Sequence, residues 1–367
     1  MNVGSSSLKL SVLDEADRVL ARRDGGFAGE SGELKAGFEQ ILGEAPAVAA
    51  AGHRVVHGGH RFSEPLPIDA EAEADLAALA DLAPLHNPPA VAAIEALRRL
   101  RPELPSVACF DTAFHATIPP AASTYAIPPA WSAPIPLRRY GFHGLSHAYA
   151  SRRAAELLER DPASLRLVTA HLGAGASLAA VRGGRSVDTT MGFTPLEGLV
   201  MATRSGSVDP GLLLWVQRHS GRDPAQMESE LDRGSGLLAL CGHADMREVI
   251  AGADSGEERC SLALQVYLHR LAAGVAAMAA AMGGIDALVF TGGIGEHSGR
   301  VRVEVSERLG FLGLDLDPAA NGAAEDDAVL SPAEARVSAV VVTAREDIEI
   351  ARQVRSATSR SRPMGAA

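Results

Sequence analysis

The sequence predicts an α/β protein, and three observations support this fold class. Apolar runs of strand type recur at Leu165–Ala170, Ala287–Phe290 and Ala339–Val342. Each run is followed by a glycine-rich or polar turn and then by a helical pattern, which is the order of elements in α/β proteins. The chain of 367 residues is also long enough for two domains.

Several stretches carry the spacing of apolar residues that predicts helices: Glu71–Leu82, Ala90–Arg99, His147–Leu158 and Ser261–Met282. The most apolar part of the chain, Leu271–Phe290, contains Asp286 and the glycine pair Gly283–Gly284. We expect a buried helix that ends at these glycines and a core strand after it, rather than a membrane span. The predicted linkers are the proline-rich stretch Ile118–Pro136 and the segment Gly252–Glu258.

Charge and cysteine content narrow the class of protein. The chain carries 45 acidic and 34 basic residues, a formal net charge of −11, which argues against a nucleic-acid-binding surface. Lys9 and Lys35 are the only lysines, so a phosphate site must be built mainly from arginine, histidine and backbone amides. Cys109, Cys241 and Cys260 show no zinc-binding spacing, and the N-terminus shows no signal-peptide pattern. We therefore expect reduced, structural thiols in a cytoplasmic protein.

Three glycine-rich segments are candidates for phosphate binding. The chain has neither a GxxxxGK[ST] motif nor a GxGxxG motif that opens a βαβ unit. Instead, Asn2–Lys9 combines a glycine with three serines and a lysine, and His171–Ser177 and Thr291–Glu296 each follow an apolar strand. Glycines at the end of a strand let backbone amides approach an anion closely. The alternatives are a flexible N-terminal tail and ordinary connecting loops.

Histidines and arginines in three further segments indicate an anion site rather than a metal centre. His53–Gly59 and His143–His147 each space two histidines by four residues but lack the glutamate of an HExxH motif. We expect Arg54 and His143 to stabilise charge on a phosphoryl group. Asp188–Pro210 is long, irregular and contains Arg204 as its only arginine. Such segments are usually functional loops, although Arg204 could be an ordinary surface arginine.

Taken together, nine segments resemble the acetate kinase family, in the right order and over essentially the whole chain. Any one of them would be weak evidence, but a chance match to all nine is not credible. The segments are Asn2–Lys9, His53–Gly59, Pro84–Pro89, Phe110–His115, Arg138–Gly144, His171–Ser177, Asp188–Pro210, Phe290–Glu296 and Arg345–Arg352.

The resemblance implies the actin, Hsp70 and sugar-kinase superfamily. The expected fold is therefore two ribonuclease H-like α/β domains around an ATP cleft. Residues 1–111 together with 346–367 would form the first domain. Residues 112–345 would form the second domain, which would carry the adenosine-binding segment.

The resemblance also implies a role for each matching residue. Asp111, His143, Arg204 and Arg54 would be catalytic, with Asp111 also near the magnesium shell. The acid would contact Arg54, Val56, Leu85, Phe142 and Pro195. ATP would contact Lys9, His171, Gly173, Gly175, Asp245, Met246, Arg247, Gly292, Gly293, Ile294 and Gly295, and the matched His86 has no firm role. Asn2 and Glu346 would bind Mg²⁺ or Mn²⁺.

The activity that the resemblance implies is reversible phosphoryl transfer from ATP to acetate, giving acetyl phosphate and ADP. A carboxylate is ionised at neutral pH, so it needs no general base to attack phosphorus. The family likeness further implies a homodimer, without a nucleic-acid or membrane partner. One alternative is a propionate or butyrate kinase on the same scaffold, and another is a non-catalytic ATP-binding switch of the actin or Hsp70 kind.

The sequence departs from the family pattern in the phosphate loop and beyond it. Ala174 replaces a common asparagine and removes a side-chain donor. Ser207 replaces an aspartate that follows the Arg204-Ser-Gly motif, and His297 replaces an asparagine. The family commonly has a threonine where Leu145 stands, and Asn-Glu-Glu where this chain has Arg345-Glu346-Asp347. None of these departures removes the phosphate clamp, but Ala174 and Ser207 bear on the reaction rate and on the preferred acid.

The start of the sequence carries one more expectation. Family members generally have an apolar strand before the asparagine that is Asn2 here. Its partner strand, Leu8–Leu13, alternates as a half-buried strand should. We therefore predict that the native protein has further residues before Met1. In the structure, Leu8–Leu13 should face a gap on one side or pair there with another segment.

Overall fold

The computed structural model describes residues 1–3, 7–27, 31–45, 47–79, 83, 87–131 and 135–360. The strands are β1 (Asn2–Val3), β2 (Ser7–Leu13), β3 (Val19–Gly26), β4 (Ala51–Val55), β5 (Leu66–Pro67), β6 (Ser106–Phe110), β7 (Arg166–Leu172), β8 (Ala176–Arg182), β9 (Arg185–Thr189), β10 (Ala287–Thr291), β11 (Leu314–Asp315), β12 (Ala328–Val329) and β13 (Val337–Val341).

The α-helices alternate with these strands over much of the chain. They are α1 (Ser31–Glu44), α2 (Ala70–Ala78), α3 (Asn87–Leu100), α4 (Pro120–Ser123), α5 (Gly144–Leu157), α6 (Pro210–Ser220), α7 (Pro224–Arg233), α8 (Gly236–Cys241), α9 (Met246–Asp254), α10 (Glu258–Met282), α11 (Gly292–His297), α12 (Gly299–Arg308), α13 (Pro318–Ala323) and α14 (Glu346–Arg360).

The chain divides into two compact units. Unit 1 comprises residues 1–116, 142–149 and 345–367, and unit 2 comprises residues 117–141 and 150–344. The predicted second domain, 112–345, differs from unit 2 at residues 112–116, 142–149 and 345. Contacts distant in sequence hold these residues in unit 1: Gly144 N donates to Asp111 O at 3.0 Å, and His115 Nε2 is 2.9 Å from Phe142 O.

The described residues of unit 1 form six strands. β1, β2 and β3 pair antiparallel in the order β1-β2-β3, and β4 and β5 flank β6. The two sheets meet where Met1 N donates to Gly52 O at 2.7 Å and Arg54 N donates to Met1 O at 2.9 Å. The inner face of β2 packs with α1 and α3 in one apolar core, and β6 is buried along its whole length. The junction of these two sheets brings β1, β4 and β6 close together.

One side of β2 faces an open groove, as expected from the sequence. β1 pairs with β2 only at Leu8 and Lys9, so Leu10–Leu13 have no strand partner there among the described residues. The adjacent cavity has a volume of about 720 Å³, and its walls come from β2, the segment Ala47–Gly52 and one face of α14. On its other side, β2 pairs with β3 as far as Leu13.

Unit 2 contains a sheet in the order β11-β13-β10-β7-β8-β9, with β12 added beside β13. β7, β10, β13 and β11 are parallel, whereas β8 and β9 are antiparallel additions. The three strands predicted from apolar runs are confirmed, and β10 is buried throughout. Its carboxyl end lies next to that of β7, which brings the loops that follow these two strands to the same edge of the sheet.

The helix α10 confirms the prediction for the most apolar part of the chain. It ends at Met282, where Gly283 adopts the left-handed conformation (φ 69°) that glycine tolerates best. Of the described helices, α10 alone has the length and apolar composition to cross a membrane, and half of its most apolar stretch is buried. A half-buried apolar helix is also typical of a protein core.

One predicted linker is shorter than expected. Gly252–Glu258 was predicted as a linker, but α9 continues to Asp254 and α10 begins at Glu258. The two helices pack closely here, because a Cβ atom on Gly252 would lie 2.5 Å from Cys260 Sγ. The small and polar residues therefore mark a tight turn between helices.

Candidate active site

Five of the predicted site residues converge in unit 1, although they come from five segments of the chain. Asn2 on β1 lies opposite Lys9 on β2. Arg54 on β4 donates through Nη1 to Asn2 Oδ1 at 3.0 Å, and Asn2 Nδ2 donates to Glu346 Oε2 at 3.2 Å. Asp111, directly after β6, accepts from Arg54. The result is a compact polar cluster at the ends of the central strands.

The ion pair between Arg54 and Asp111 is the centre of this cluster. Arg54 Nε lies 3.1 Å from both carboxylate oxygens, and Nη2 lies 2.5 Å from Oδ2. The side chains are 17% and 0% exposed, respectively. Burial by itself lowers the pKa of Arg54, but the carboxylates of Asp111 and Glu346 outweigh it and raise the pKa above its usual value. Arg54 is therefore a fixed positive charge with a set orientation.

Glu346 opens helix α14 and adds a second carboxylate to the cluster. Its burial raises the pKa, and Arg54 and Lys9 oppose this rise by favouring the charged form. Asp111 raises the pKa further, because two nearby carboxylates repel each other. A cation between them would relieve this repulsion.

His143 is held beside Asp111 by an unusual backbone conformation. Its φ is 55°, in the left-handed region that non-glycine residues seldom adopt. The next residue, Gly144, approaches so closely that a Cβ atom would lie 2.0 Å from Asp111 O. Only glycine fits at position 144. Its contact with Asp111 also fixes the position of the His143 backbone, from which the imidazole extends. The ring centroid of His143 lies 6.5 Å from that of His147.

The apolar residues predicted for the acid pocket are only partly accounted for in unit 1. Val56 and Phe142 are both buried there, and His57 packs edge-to-face on Phe142 with ring centroids 5.5 Å apart. Leu85, like His86, lies outside the described residues. Pro195 belongs to unit 2 and is half-buried.

In unit 2, two of the predicted glycine-rich loops meet at one edge of the sheet. His171 on β7 pairs with Thr291 on β10, so both loops start at the same level. Gly173 N donates to Gly175 O at 3.0 Å, which closes a tight turn. Gly292 has φ 77°, and a Cβ atom there would lie 2.8 Å from Leu172 O. Glycine is thus required where the two loops touch.

Arg302, which sequence reasoning missed, supports the second of these loops. It is 2% exposed and donates through Nη1 to the carbonyl oxygens of Gly295, at 2.9 Å, and Glu296, at 2.5 Å. These carbonyls end the short helix that contains Gly292, Gly293 and Ile294. A buried guanidinium on the last carbonyls of a helix fixes its position. No motif in the sequence marks this residue.

Arg204 is held by a partner that the sequence did not indicate. Its Nε donates to Asp232 Oδ1 at 2.6 Å, and the two side chains are 19% and 14% exposed. Arg233 lies 3.8 Å from the other oxygen of Asp232 and is 63% exposed. Asp232 therefore orients Arg204.

A second network braces the irregular segment that contains Arg204. Arg139 donates to Thr190 O and Met191 O at 3.0 and 3.1 Å, and to Glu197 Oε1 at 2.7 Å. Tyr125 donates to Glu197 Oε2 at 2.6 Å. The segment between β9 and α6 thus lacks regular structure, as predicted, yet is tied down by charged hydrogen bonds.

The predicted adenosine segment lies at the start of α9 in unit 2. Asp245 caps this helix by accepting from Arg247 N at 2.9 Å. The hydrogen bonds from Arg247 lower the pKa of Asp245 to about 2. Met246 is buried, whereas the side chain of Arg247 is 91% exposed. Arg247 thus lies at the surface, where its guanidinium pairs with Asp245.

Comparison with known proteins places this geometry in a family. Residues 31–352 match the acetokinase family. The chain is 47% identical to acetate kinase from Deinococcus deserti, over 97% of this chain and 96% of that protein. The crystal structure of Porphyromonas gingivalis acetate kinase superposes with a TM-score of 0.89 at 36% identity, and covers 97% of this chain and 98% of that one.

A propionate kinase from Francisella tularensis superposes almost as well, with a TM-score of 0.87 at 35% identity over 96% of this chain and 97% of that one. These likenesses confirm the predicted α/β fold class, which the chain shares with solved acetate and propionate kinases. In each of the three comparisons with single proteins given above, the similarity extends over nearly the full length of both chains. The chain therefore belongs to the acetokinase family.

Proposed function

We propose that this chain transfers the γ-phosphoryl group of ATP to acetate, giving acetyl phosphate and ADP. The observation that carries the proposal is the convergence in unit 1 of Asn2, Lys9, Arg54, Asp111 and Glu346. A buried, oriented arginine beside two carboxylates suits a site that must hold phosphate charge and a divalent cation together. An ATP-binding switch that has no acid substrate needs neither Arg54 at this position nor an acid pocket with Val56 and Phe142.

The reaction needs charge stabilisation rather than proton transfer. A carboxylate oxygen of acetate attacks the γ-phosphorus, the bond from that phosphorus to the β,γ-bridging oxygen breaks, and ADP leaves. Acetate is already ionised at neutral pH, so no base has to remove a proton. We assign Arg54, His143 and Arg204 to the charge that develops on the transferred group. Asp111 orients Arg54 through its bidentate contact, and direct in-line transfer requires no phosphoenzyme.

The donor set near Arg54 fits a magnesium or manganese ion. The side chains of Asn2, Asp111 and Glu346 offer amide and carboxylate oxygens, which these hard cations prefer. Asp111 helps to raise the pKa of Glu346, and a cation nearby would relieve the repulsion between the two carboxylates. When bound, the ion would neutralise phosphate charge on ATP. The residues themselves keep Arg54 oriented and hold the carboxylates in place.

The glycine-rich loops and the adenosine segment of unit 2 are assigned to ATP. Gly173, Gly175 and the 292–295 segment supply backbone amides at one sheet edge. Asp245, Met246 and Arg247 would contact the base and ribose. We also propose a cytoplasmic homodimer without nucleic-acid or membrane partners. Three unpaired cysteine thiols and a net charge of −11 support the location and the lack of a nucleic-acid partner.

Trapping with hydroxylamine tests the proposed reaction. The purified chain is incubated with ATP, magnesium, hydroxylamine and one acid at a time, and the acyl hydroxamate is measured by its ferric complex. Acetate should give hydroxamate in proportion to enzyme and time, with propionate slower and butyrate slower still. No hydroxamate from any of the three acids would refute the proposal.

A propionate kinase is the second candidate, because the Francisella tularensis structure is so similar. Val56, which is buried in unit 1 as Phe142 is, favours the smaller acid. The Val56→Ala variant should raise the kcat/KM for propionate relative to acetate by about tenfold, since one methylene in an apolar pocket contributes roughly 1–3 kcal/mol. Steady-state kinetics with both acids give this ratio.

Val55→Ala is the matched control for the Val56 experiment. Val55 is fully buried in the apolar core of unit 1 with Leu76 and Ile94. Its truncation should lower stability but leave the ratio of the two acids unchanged. An unchanged ratio in Val56→Ala, or an equal shift in both variants, would remove Val56 from the acid pocket.

A further inference from the structure

We propose that unit 2 binds a zinc ion through His243, Glu257 and Cys260. The imidazole, the carboxylate and the thiol each present a ligand atom, and these three atoms all lie within 4.8 Å of one another. The sequence spacing did not suggest this site, because the ligands come from two different turns between helices. Cys260 is fully buried, while His243 and Glu257 reach the surface.

The scaffold around the three ligands is rigid. α8 ends at Cys241, and Gly242 in the left-handed conformation turns the chain toward His243. Glu257 precedes α10 and Cys260 lies in its first turn. Gly252 on α9 makes room for this arrangement, because a Cβ atom there would lie 2.5 Å from Cys260 Sγ and 3.0 Å from Glu257 Oε2. The site is therefore fixed by three packed helices.

The side chains are oriented as metal ligands would be. Glu257 occupies the N-cap position of α10 but makes no capping hydrogen bond with its side chain. Its carboxylate instead interacts with the thiol of Cys260. His243 Nδ1 lies 3.3 Å from Glu248 Oε2. A carboxylate on one ring nitrogen fixes the tautomer that leaves the other nitrogen as a ligand.

The donor chemistry selects zinc over the magnesium that the proposed reaction uses. A thiolate and an imidazole are soft or borderline ligands, whereas magnesium prefers oxygen. One thiolate, one carboxylate and a neutral imidazole balance the charge of a divalent ion. Zinc bonds of roughly 2.0–2.3 Å place tetrahedral ligands about 3–4 Å apart. Small rotations of the His243 and Glu257 side chains are enough to shorten the present distances between the ligand atoms to this range.

Cys241 provides a second thiol, which hydrogen-bonds to that of Cys260. It also donates to Leu237 O at 3.4 Å. A disulfide between Cys241 and Cys260 is the state that competes with zinc binding. Oxidation to a disulfide would remove Cys260 as a ligand, so the experiment must distinguish the two states.

Zinc binding to the untagged, reduced full chain tests the site in magnesium-containing buffer. The chain is stripped with a chelator, titrated with zinc against a chromogenic competitor, and analysed for metal by mass spectrometry. We expect one zinc per chain, and a thiolate-to-metal charge-transfer band when cobalt replaces zinc. Glu257→Gln, Cys260→Ser and His243→Ala should each weaken binding at least about tenfold. Glu258→Gln, the neighbouring carboxylate, should bind as the wild type does.

Glu257→Gln keeps the test independent of folding, because Glu257 is exposed. Its thermal unfolding without zinc should match the wild type, while the rise in Tm on adding zinc should be lost. The proposal is overturned if the wild type binds no zinc, or if the three variants bind as tightly as Glu258→Gln. A chain purified under reducing conditions with a Cys241–Cys260 disulfide and no metal would also overturn it. None of these readouts depends on acetate kinase activity.

Discussion

Replacing Arg204 with alanine should lower kcat by about 10²- to 10³-fold, the size of effect seen when a group that stabilises transition-state charge is removed. The KM for ATP should change little, because this charge is used mainly when the phosphoryl group is in transit. Asp232 holds Arg204 at 2.6 Å, so the positive charge is already oriented before substrate binds. Steady-state kinetics at saturating acetate, with the ATP concentration varied, give both constants.

Arg233→Ala is the matched control for this variant. Arg233 lies near the same carboxylate of Asp232, at 3.8 Å, but is mainly exposed. Its removal changes the net charge of the chain by the same amount and should leave kcat within about twofold, since exposed ion pairs contribute little. Near-normal turnover in Arg204→Ala, or an equal loss in Arg233→Ala, would take Arg204 out of the mechanism.

Replacing Arg54 with alanine should abolish measurable turnover and destabilise unit 1. Asp111 is fully buried, so loss of the guanidinium leaves a buried carboxylate unpaired, at a cost of about 3–5 kcal/mol. Arg54→Lys keeps the charge but not the bidentate geometry. It should recover part of the stability while kcat remains at least about 10²-fold low. Denaturant unfolding and kinetics on the same preparations separate the two effects.

Arg61→Ala is the control for the stability effect, because it breaks another bidentate pair in the same unit. Arg61 contacts Asp75 at 2.7 and 2.6 Å, but the side chains are 50% and 25% exposed. Its loss should cost at most about 1 kcal/mol and should not affect kcat. If Arg54→Ala unfolds no more easily than Arg61→Ala, the buried pair does not organise the cluster.

Local patterns in the sequence predicted most of the regular structure. The apolar run Ala287–Phe290 became β10, and the helix after Ser261 ended at Gly283, because burial and glycine conformation act over a few residues. The segment 142–149 belongs to unit 1 although the sequence placed it in the second domain, because it contacts Asp111 and His115. Gly252–Glu258 looked like a linker because a tight turn between helices uses the same residue types as a loop.

The candidate site was predictable only in part. The resemblance to acetate kinases identified Asn2, Arg54, Asp111 and Glu346, but not that Arg54 bonds to both Asn2 and Asp111. Arg302 and Asp232 were missed because no sequence motif links Arg302 to Gly295 and Glu296, or Asp232 to Arg204. The cysteines were predicted to be reduced, structural thiols, but the sequence did not indicate that Cys241 and Cys260 come together. Partnerships of this kind arise from tertiary packing and have no local signal.

The most direct measurement is a ³¹P NMR time course of the enzyme with ATP, magnesium and acetate. The account predicts that the γ-phosphate resonance of ATP is lost while acetyl phosphate and ADP appear in equal amounts. It predicts no such change when acetate is omitted or when Arg204→Ala replaces the wild type on the same time scale. An unchanged ATP spectrum, or γ-phosphate that appears only as inorganic phosphate whether or not acetate is present, would contradict phosphoryl transfer to a carboxylate.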